Sequence, residues 1–294
     1  MKKYLFFLLL LPTALFSQQQ PDTLKRWEVK GLFSLNFSQI SLTNWVAGGR
    51  SSSAGVGIFN LQAKYAKDNL LWENTLDLGY GLIKEQDRQM VKSDDKIDLT
   101  SKLGLKQSET LYYSLLFNYR TQFAEGYKYP NTTNVISNFM APGYFILALG
   151  LDYKPQKDVS IFFSPATARL TVVSDDILSA QGAFGVDPGK KTRMEVGAIL
   201  KADLNTQIMK NVTLNNKVVF FSNYLKNPQN VDVNWDLMLN MKVNDYLSAN
   251  LITNLIYDDD IKVPIDVNES GQIIRSGPRV QFKEMFGIGL NIKF

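Results

Sequence analysis

Carboxylates are the first residues to weigh, because little else in this chain can do chemistry. The sequence holds no histidine and no cysteine. That excludes Ser-His and Asp-His relays, thiol nucleophiles, and imidazole or thiolate metal ligands. A carboxylate pair or a Ser-Lys dyad remains. Asp232 and Asp236 lie on one face of an alternating segment, four residues apart. By the strand rise they are about 13 Å apart, too far to work as a catalytic pair. Asp94-Asp95, Asp175-Asp176 and Asp258-Asp259-Asp260 are oxygen donors of the kind that calcium and magnesium take. None has the spacing of a calcium-binding loop, and all three read as solvated loop bases. No catalytic, cofactor-binding or metal residue is assigned. The expectation is a protein that is not an enzyme and carries no cofactor.

These side chains must be positioned by strands, and the clearest strand lies at Arg279–Phe294, RVQFKEMFGIGLNIKF. From Val280 to Phe294 the even positions are apolar except Glu284, and among the odd ones only Met285 is large and apolar. A period of two gives a strand with one greasy and one wet face. Twelve such segments are expected at 27–41, 53–67, 70–84, 95–107, 110–125, 139–154, 158–174, 190–208, 211–225, 230–243, 246–260 and 278–294. Adjacent Asn215 and Asn216 leave the parity of the ninth open. Tight turns such as Lys67-Asp68-Asn69 and Asn244-Asp245 alternate with mostly longer connections such as 126–138 and 261–277. Segments of fourteen to sixteen residues, with short turns at one rim and long loops at the other, predict an all-β, up-and-down antiparallel transmembrane barrel of about 12 strands. A soluble β-sandwich is the alternative, and its strands would be shorter.

Residues 1–17 carry Lys2, Lys3 and the apolar run Tyr4–Leu11, too short to span a bilayer as a helix. They read as a secretory signal peptide, followed by a polar periplasmic leader over 18–26 and the barrel over 27–294. Hydrophobic residues make up 45% of the chain. That content and a mean hydropathy of −0.13 resemble a soluble protein, but barrels look so because half of each strand is polar. With 32 basic and 28 acidic residues, the charge is near balance and no nucleic-acid partner is implied. The expected location is the outer membrane of a Gram-negative bacterium. The expected partners are its lipid, the barrel-assembly machinery acting through the C-terminal strand, and an envelope protein.

One connection has a character of its own. Trp45, Gly48 and Gly49 stand in Asn44–Ser53, where two glycines permit unusual backbone geometry and the tryptophan favours burial. The run W-x-x-G-G-x-x-S, followed by Leu71-Trp72-Glu73-Asn74 and Gly79-Tyr80-Gly81, resembles the domain-of-unknown-function 3078 family of Bacteroidetes. The pattern departs at Arg50, where many members carry Asn. Asp22-Thr23-Leu24 is similar to the O-glycosylation motif of that phylum. The resemblance implies an outer-membrane barrel and supplies no activity or site residues.

The lumen-facing candidates are Lys30, Glu73, Asp77, Asp98, Lys102, Arg120, Lys201, Asp203, Asp232, Asp236, Lys242, Lys283 and Lys293, with Tyr112 and Leu116 intruding. Mixed charges can pair across the lumen and close it, or line a narrow polar path. The working expectation is a narrow, porin-like passive channel for small polar solutes or ions. The alternative is a closed structural or partner-binding barrel of the envelope. Arg in place of Leu237 should hamper membrane assembly, and Arg in place of Asn240 should be better tolerated.

Overall fold

The computed structural model describes residues 26–41, 50–86, 88–261, 263–267 and 273–294. The signal segment, nearly all of the leader, and Trp45, Gly48 and Gly49 lie outside these residues. Sixteen strands follow in order: β1 (Trp27–Ile40), β2 (Ser52–Lys67), β3 (Leu70–Glu85), β4 (Val91–Lys106), β5 (Leu111–Thr121), β6 (Gly126–Tyr127), β7 (Val135–Ser137), β8 (Gly143–Tyr153), β9 (Val159–Val172), β10 (Thr192–Met209), β11 (Val212–Asn223), β12 (Val231–Lys242), β13 (Leu247–Tyr257), β14 (Val263–Val267), β15 (Ile273–Gly277) and β16 (Gln281–Lys293). Twelve of them close a barrel in the order β1-β16-β13-β12-β11-β10-β9-β8-β5-β4-β3-β2, each antiparallel to its neighbours. The remaining strands form two small hairpins, β6–β7 and β14–β15, in connections expected to be plain loops.

The period-two pattern sorts the faces. On β16, Phe282, Phe286, Ile288, Leu290 and Ile292 point outward and are each more than half exposed, while Gly287, Gly289 and Asn291 are buried on the other face. Phe33, Phe37, Leu115, Phe117, Leu147, Leu149 and Phe163 continue the apolar belt on other strands. Such a continuous apolar surface belongs to a barrel that spans a membrane. Trp27 stacks at a tilt on Tyr65 and Trp72, with centroids 5.1 and 5.7 Å apart, at the short-turn rim. Aromatic rings favour the headgroup level.

The seam between the first and last strands closes on Phe294. Its backbone exchanges hydrogen bonds of 2.8 and 3.1 Å with Gly31. The tip of the Phe294 ring lies against Gly31, where any Cβ would overlap it. On β9, Pro165 stands inside a paired strand, which the sheet tolerates because the register shifts there against both β8 and β10. Ser164 repairs the ladder: its hydroxyl donates to the Leu149 carbonyl at 2.7 Å and accepts from Ala166 N–H at 3.2 Å.

The 173–191 connection carries a short helix, α1 (Asp176–Ala180), capped by the Asp175 carboxylate, which accepts from the N–H groups of Ile177 and Leu178. Leu178, Val173 and Val186 pack with Ala141 and Val135, joining this connection to the 122–142 connection at the long-loop rim.

Candidate functional site

The site is the lumen, and three layers of ion pairs cross it. Nearest the short turns, Lys102 of β4 reaches Asp152 of β8 at 2.7 Å and the Ser160 hydroxyl of β9 at 2.8 Å. Lys154, just past β8, reaches Glu73 of β3 at 2.7 Å. In the middle layer Asp203, Lys217, Asp236, Asn254 and Lys283 lie opposite one another across β10, β11, β12, β13 and β16. Facing them from β4 are Asp94, Lys96 and Asp98. Lys283 meets Asp94 at 2.6 Å, Lys96 meets Asp236 at 3.5 Å, and Lys217 meets Asp98 at 3.1 Å. Strands β1, β2 and β3 lie between β4 and β16 in the wall, so these bonds run through the interior. In the upper layer Arg169 of β9 bridges Glu195 of β10 and Asp232 of β12, both at 2.7 Å.

The candidates fall into this lattice as follows. Glu73, Asp98, Lys102, Asp232, Asp236 and Lys283 form the cross-lumen contacts just given. Asp77 accepts from Asn60, Lys201 pairs with Asp203, and Arg120 stands opposite Asp98 in the β4–β5 register. Lys30 pairs with Glu28 at 2.6 Å and Lys242 with Asp245 at 2.6 Å, both at the short-turn rim rather than deep inside. The side chain of Lys293 lies outside the described ones. Asp232 and Asp236, weighed as a catalytic pair, are bound to different cations. Of the acidic clusters, Asp95 holds Lys92 at 2.7 Å, Asp175 caps α1, and Asp260 pairs with Arg193 and Lys226. Asp260 is thus bound to two cations at once, Arg193 at 2.9 Å and Lys226 at 2.8 Å. Partial burial pushes its carboxyl up, but the Lys226 hydrogen bond and the charges of Arg193, Lys226 and Arg169 outweigh that and hold it below its ordinary value.

Sequence reasoning missed Asp152, Lys154, Arg169, Glu195 and Lys217 as lumen residues; alternation does set Lys96 on the polar face with Asp98 and Lys102, but it was not among the candidates. Arg169 follows the Pro165 bulge, which breaks the parity of its strand. Lys217 follows the Asn215-Asn216 pair that left parity open. Asn216 turns out to face the belt, where its side-chain oxygen accepts from the Trp235 indole N–H at 2.6 Å. The charge alternation of Asp94, Lys96 and Asp98 was a usable signal.

The interior is not wet throughout, as the simple two-face rule expects. Leu116, Ala148, Phe162, Ile199 and Phe221 form a buried apolar cluster inside the barrel, flanked by Ile146 and Val219. Arg169 lies 4.2 Å over the Phe221 ring, joining this plug to the upper layer. Beside it a cavity of about 450 Å³ extends from Glu28, Lys30 and Asp158 at the short-turn rim up to Asp94, Lys96 and Lys283.

A family model described as "Protein of unknown function (DUF3078)" matches residues 37–127. No curated protein matches the chain. Among solved structures, the COG4313 outer membrane channel from Pseudomonas putida F1 aligns at 12% identity and TM-score 0.38, covering 94% of this chain and 100% of that one. The translocator domain of autotransporter NalP from Neisseria meningitidis aligns at 10% and 0.36, covering 89% and 88%. OccK11 (OpdR) of Pseudomonas aeruginosa aligns at 10% and 0.24, covering 81% and 65%. Scores this low carry no argument about activity, and the barrel stands on its own strand pairing.

Chemically, the arrangement holds charges still. Lumen carboxylates are tied to cations or to amides: the Asn118 amide donates to Asp98 at 2.6 Å, and Asn254 donates to Asp236. Among the described residues no group of three acidic side chains converges as a metal cage.

Proposed function

We propose that this protein is an outer-membrane barrel of a Gram-negative bacterium whose lumen is sealed at rest, working as a closed structural or partner-binding component of the envelope. The supporting observation is the set of ion pairs that run through the interior between strands far apart in the wall: Lys283–Asp94, Lys96–Asp236, Lys217–Asp98 and Arg169–Asp232. Lys217–Asp98 and Arg169–Asp232 are hydrogen-bonded with Asp98 and Arg169 largely buried, and pairs of that kind lose several kcal/mol when one partner is withdrawn. A solute moving along the axis would have to part them. The likeness of residues 37–127 to a family of unknown function fits this reading without adding an activity, and no catalytic role is proposed.

The vestibule of about 450 Å³ favours a second reading, a narrow polar channel opened by rearrangement of the middle layer. Single-channel recording on the purified protein in planar bilayers separates the two. The sealed reading expects a flat baseline for the native protein. It expects discrete steps once Lys96→Ala and Lys217→Ala are combined, since two of the three middle-layer cations are then gone and only Lys283 is left. Steady steps from the native protein would refute the seal and establish the channel.

A further inference from the structure

The closing seam is zipped over only part of its height. β1 and β16 pair from Leu32↔Lys293 to Phe37↔Ile288. Beyond that point β1 continues to Ile40, paired only with β2, and β16 extends down to Gln281, paired only with β13. Because Phe294 and Gly31 exchange both backbone bonds, the even residues of β16 are those whose backbone faces β1. The N–H and C=O groups of Phe282, Glu284 and Phe286 therefore point into a gap with no strand opposite them among the described residues. Bare backbone groups at membrane depth are costly and demand a partner.

A cavity of about 140 Å³ occupies this gap. It is lined from both faces of the wall: Val56 and Met285 are lumen-side residues, whereas Phe37, Glu284 and Phe286 belong to the belt. Its floor is the Lys283–Asp94 pair, which also lines the vestibule, so one 2.6 Å ion pair divides the two spaces. Glu284 is an exposed carboxylate in the apolar row and forms no ion pair among the described residues, Lys283 beside it being paired with Asp94. With Asp94 it leaves the slot one negative charge in excess over Lys283.

We propose that this seam slot takes the hydrocarbon chain of an amine-bearing amphiphile from the surrounding lipid, with the ammonium held by Glu284 and Asp94. The mouth opens on the belt, where the neighbours are acyl chains. An apolar cavity of roughly 150 Å³ holds a benzene-sized hydrocarbon, which suits a chain segment and is too small for a peptide strand with its alternate side chains. The carboxylate excess selects an ammonium over a purely anionic head, and the open backbone groups supply hydrogen bonds to the head. This inference rests on the seam alone, so a conducting or silent lumen leaves it standing.

The test is native mass spectrometry of the full chain after incubation with vesicles of equal parts phosphatidylethanolamine and phosphatidylglycerol with matched acyl chains. The expected result is one retained lipid per barrel, with about a tenfold preference for the ethanolamine head, equivalent to about 1.4 kcal/mol. Ala54→Phe, which fills the slot from β2, abolishes retention; Met285→Phe does so from β16, and heat-shifted gel mobility shows which variant has folded. Glu284→Gln keeps the lipid and loses the head preference. Lipid-free native protein, equal retention in a folded filled variant, an unchanged preference in Glu284→Gln, or a retained polypeptide in place of lipid each overturns the proposal.

Discussion

Two walls of the same barrel treat the lumen in opposite ways. The wall of β5, β8, β9, β10 and β11 turns Leu116, Ala148, Phe162, Ile199 and Phe221 inward and packs them into a plug. The wall of β12, β13, β16 and β1 turns Asn240, Asn250, Asn291, Ser34 and Asn36 inward, all buried. These short polar side chains lie along the wall and bond one another. Asn250 donates to Asn36 at 2.7 Å, Asn240 to Ser248 at 3.1 Å, and Asn36 to Ser34 at 3.2 Å. Gly289 makes the flat arrangement possible, because a Cβ there would overlap the Asn36 amide. Strand number sets the diameter, but the size and polarity of inward residues decide how much of it stays hollow. The vestibule lies where inward residues are small or charged, and the plug where they are bulky and apolar.

The sharpest way to break this contrast is to cut one apolar residue from each wall. Phe162→Ala removes a fully buried ring from the plug and should cost about 3–5 kcal/mol, the usual range for a core aromatic. Ile252→Ala, on the hollow wall beside the vestibule, leaves space that water already reaches and should cost about 1–2 kcal/mol. Urea titration of both variants folded into detergent or vesicles measures the difference. Equal costs would mean the two walls are packed alike.

A smaller effect sharpens the inward and outward assignments on the hollow wall itself. Leu237→Arg places a charge in the lipid belt, at about 2–4 kcal/mol near the midplane. From sequence, Asn240→Arg is the tolerated partner of that change, and the structure corrects this. Asn240 is 5% exposed and donates to both Ser248 and Asn250. Arginine there breaks the amide cluster and buries an unpaired charge, so its folding yield should fall about as far as that of Leu237→Arg. Native-like yield for Asn240→Arg would show that the cluster yields easily to a longer side chain.

The same residue shows what was legible beforehand. Alternation located all twelve barrel strands and set Leu237 and Asn240 on opposite faces, because a half-buried strand writes its period into the sequence. It said nothing about what stands across the lumen. Neither the bond from Lys217 to Asp98, 119 positions apart, nor the meeting of Phe162 and Phe221 has a local signature. Arg169 was hidden for a different reason: the Pro165 bulge changes the phase of β9, and a strict period of two cannot follow it. The unzipped upper seam depends on how far β1 and β16 run side by side, which no single strand's pattern records.

The smallest expected effect concerns the roof that joins the two walls. Asp260 sits on the connection that follows β13 of the hollow wall. It accepts from Arg193 of β10, on the filled wall, at 2.9 Å and from Lys226 at 2.8 Å. Its carboxyl is held below the ordinary value of about 3.9. A carboxylate with a lowered folded-state pKa contributes stability that is fully present above its unfolded value and is lost as pH falls through the folded one. The bridge should therefore be indifferent to pH between about 5 and 7 and loosen only below about 4. Hydrogen-exchange protection of the 258–261 backbone, taken relative to the intrinsic rate at each pH, reads this directly, and Asp260→Asn should show at pH 7 the reduced protection that the native protein reaches only in acid. If protection there instead falls between pH 7 and 5, another group ties the walls together, and the carboxylate bridge is not what holds the roof.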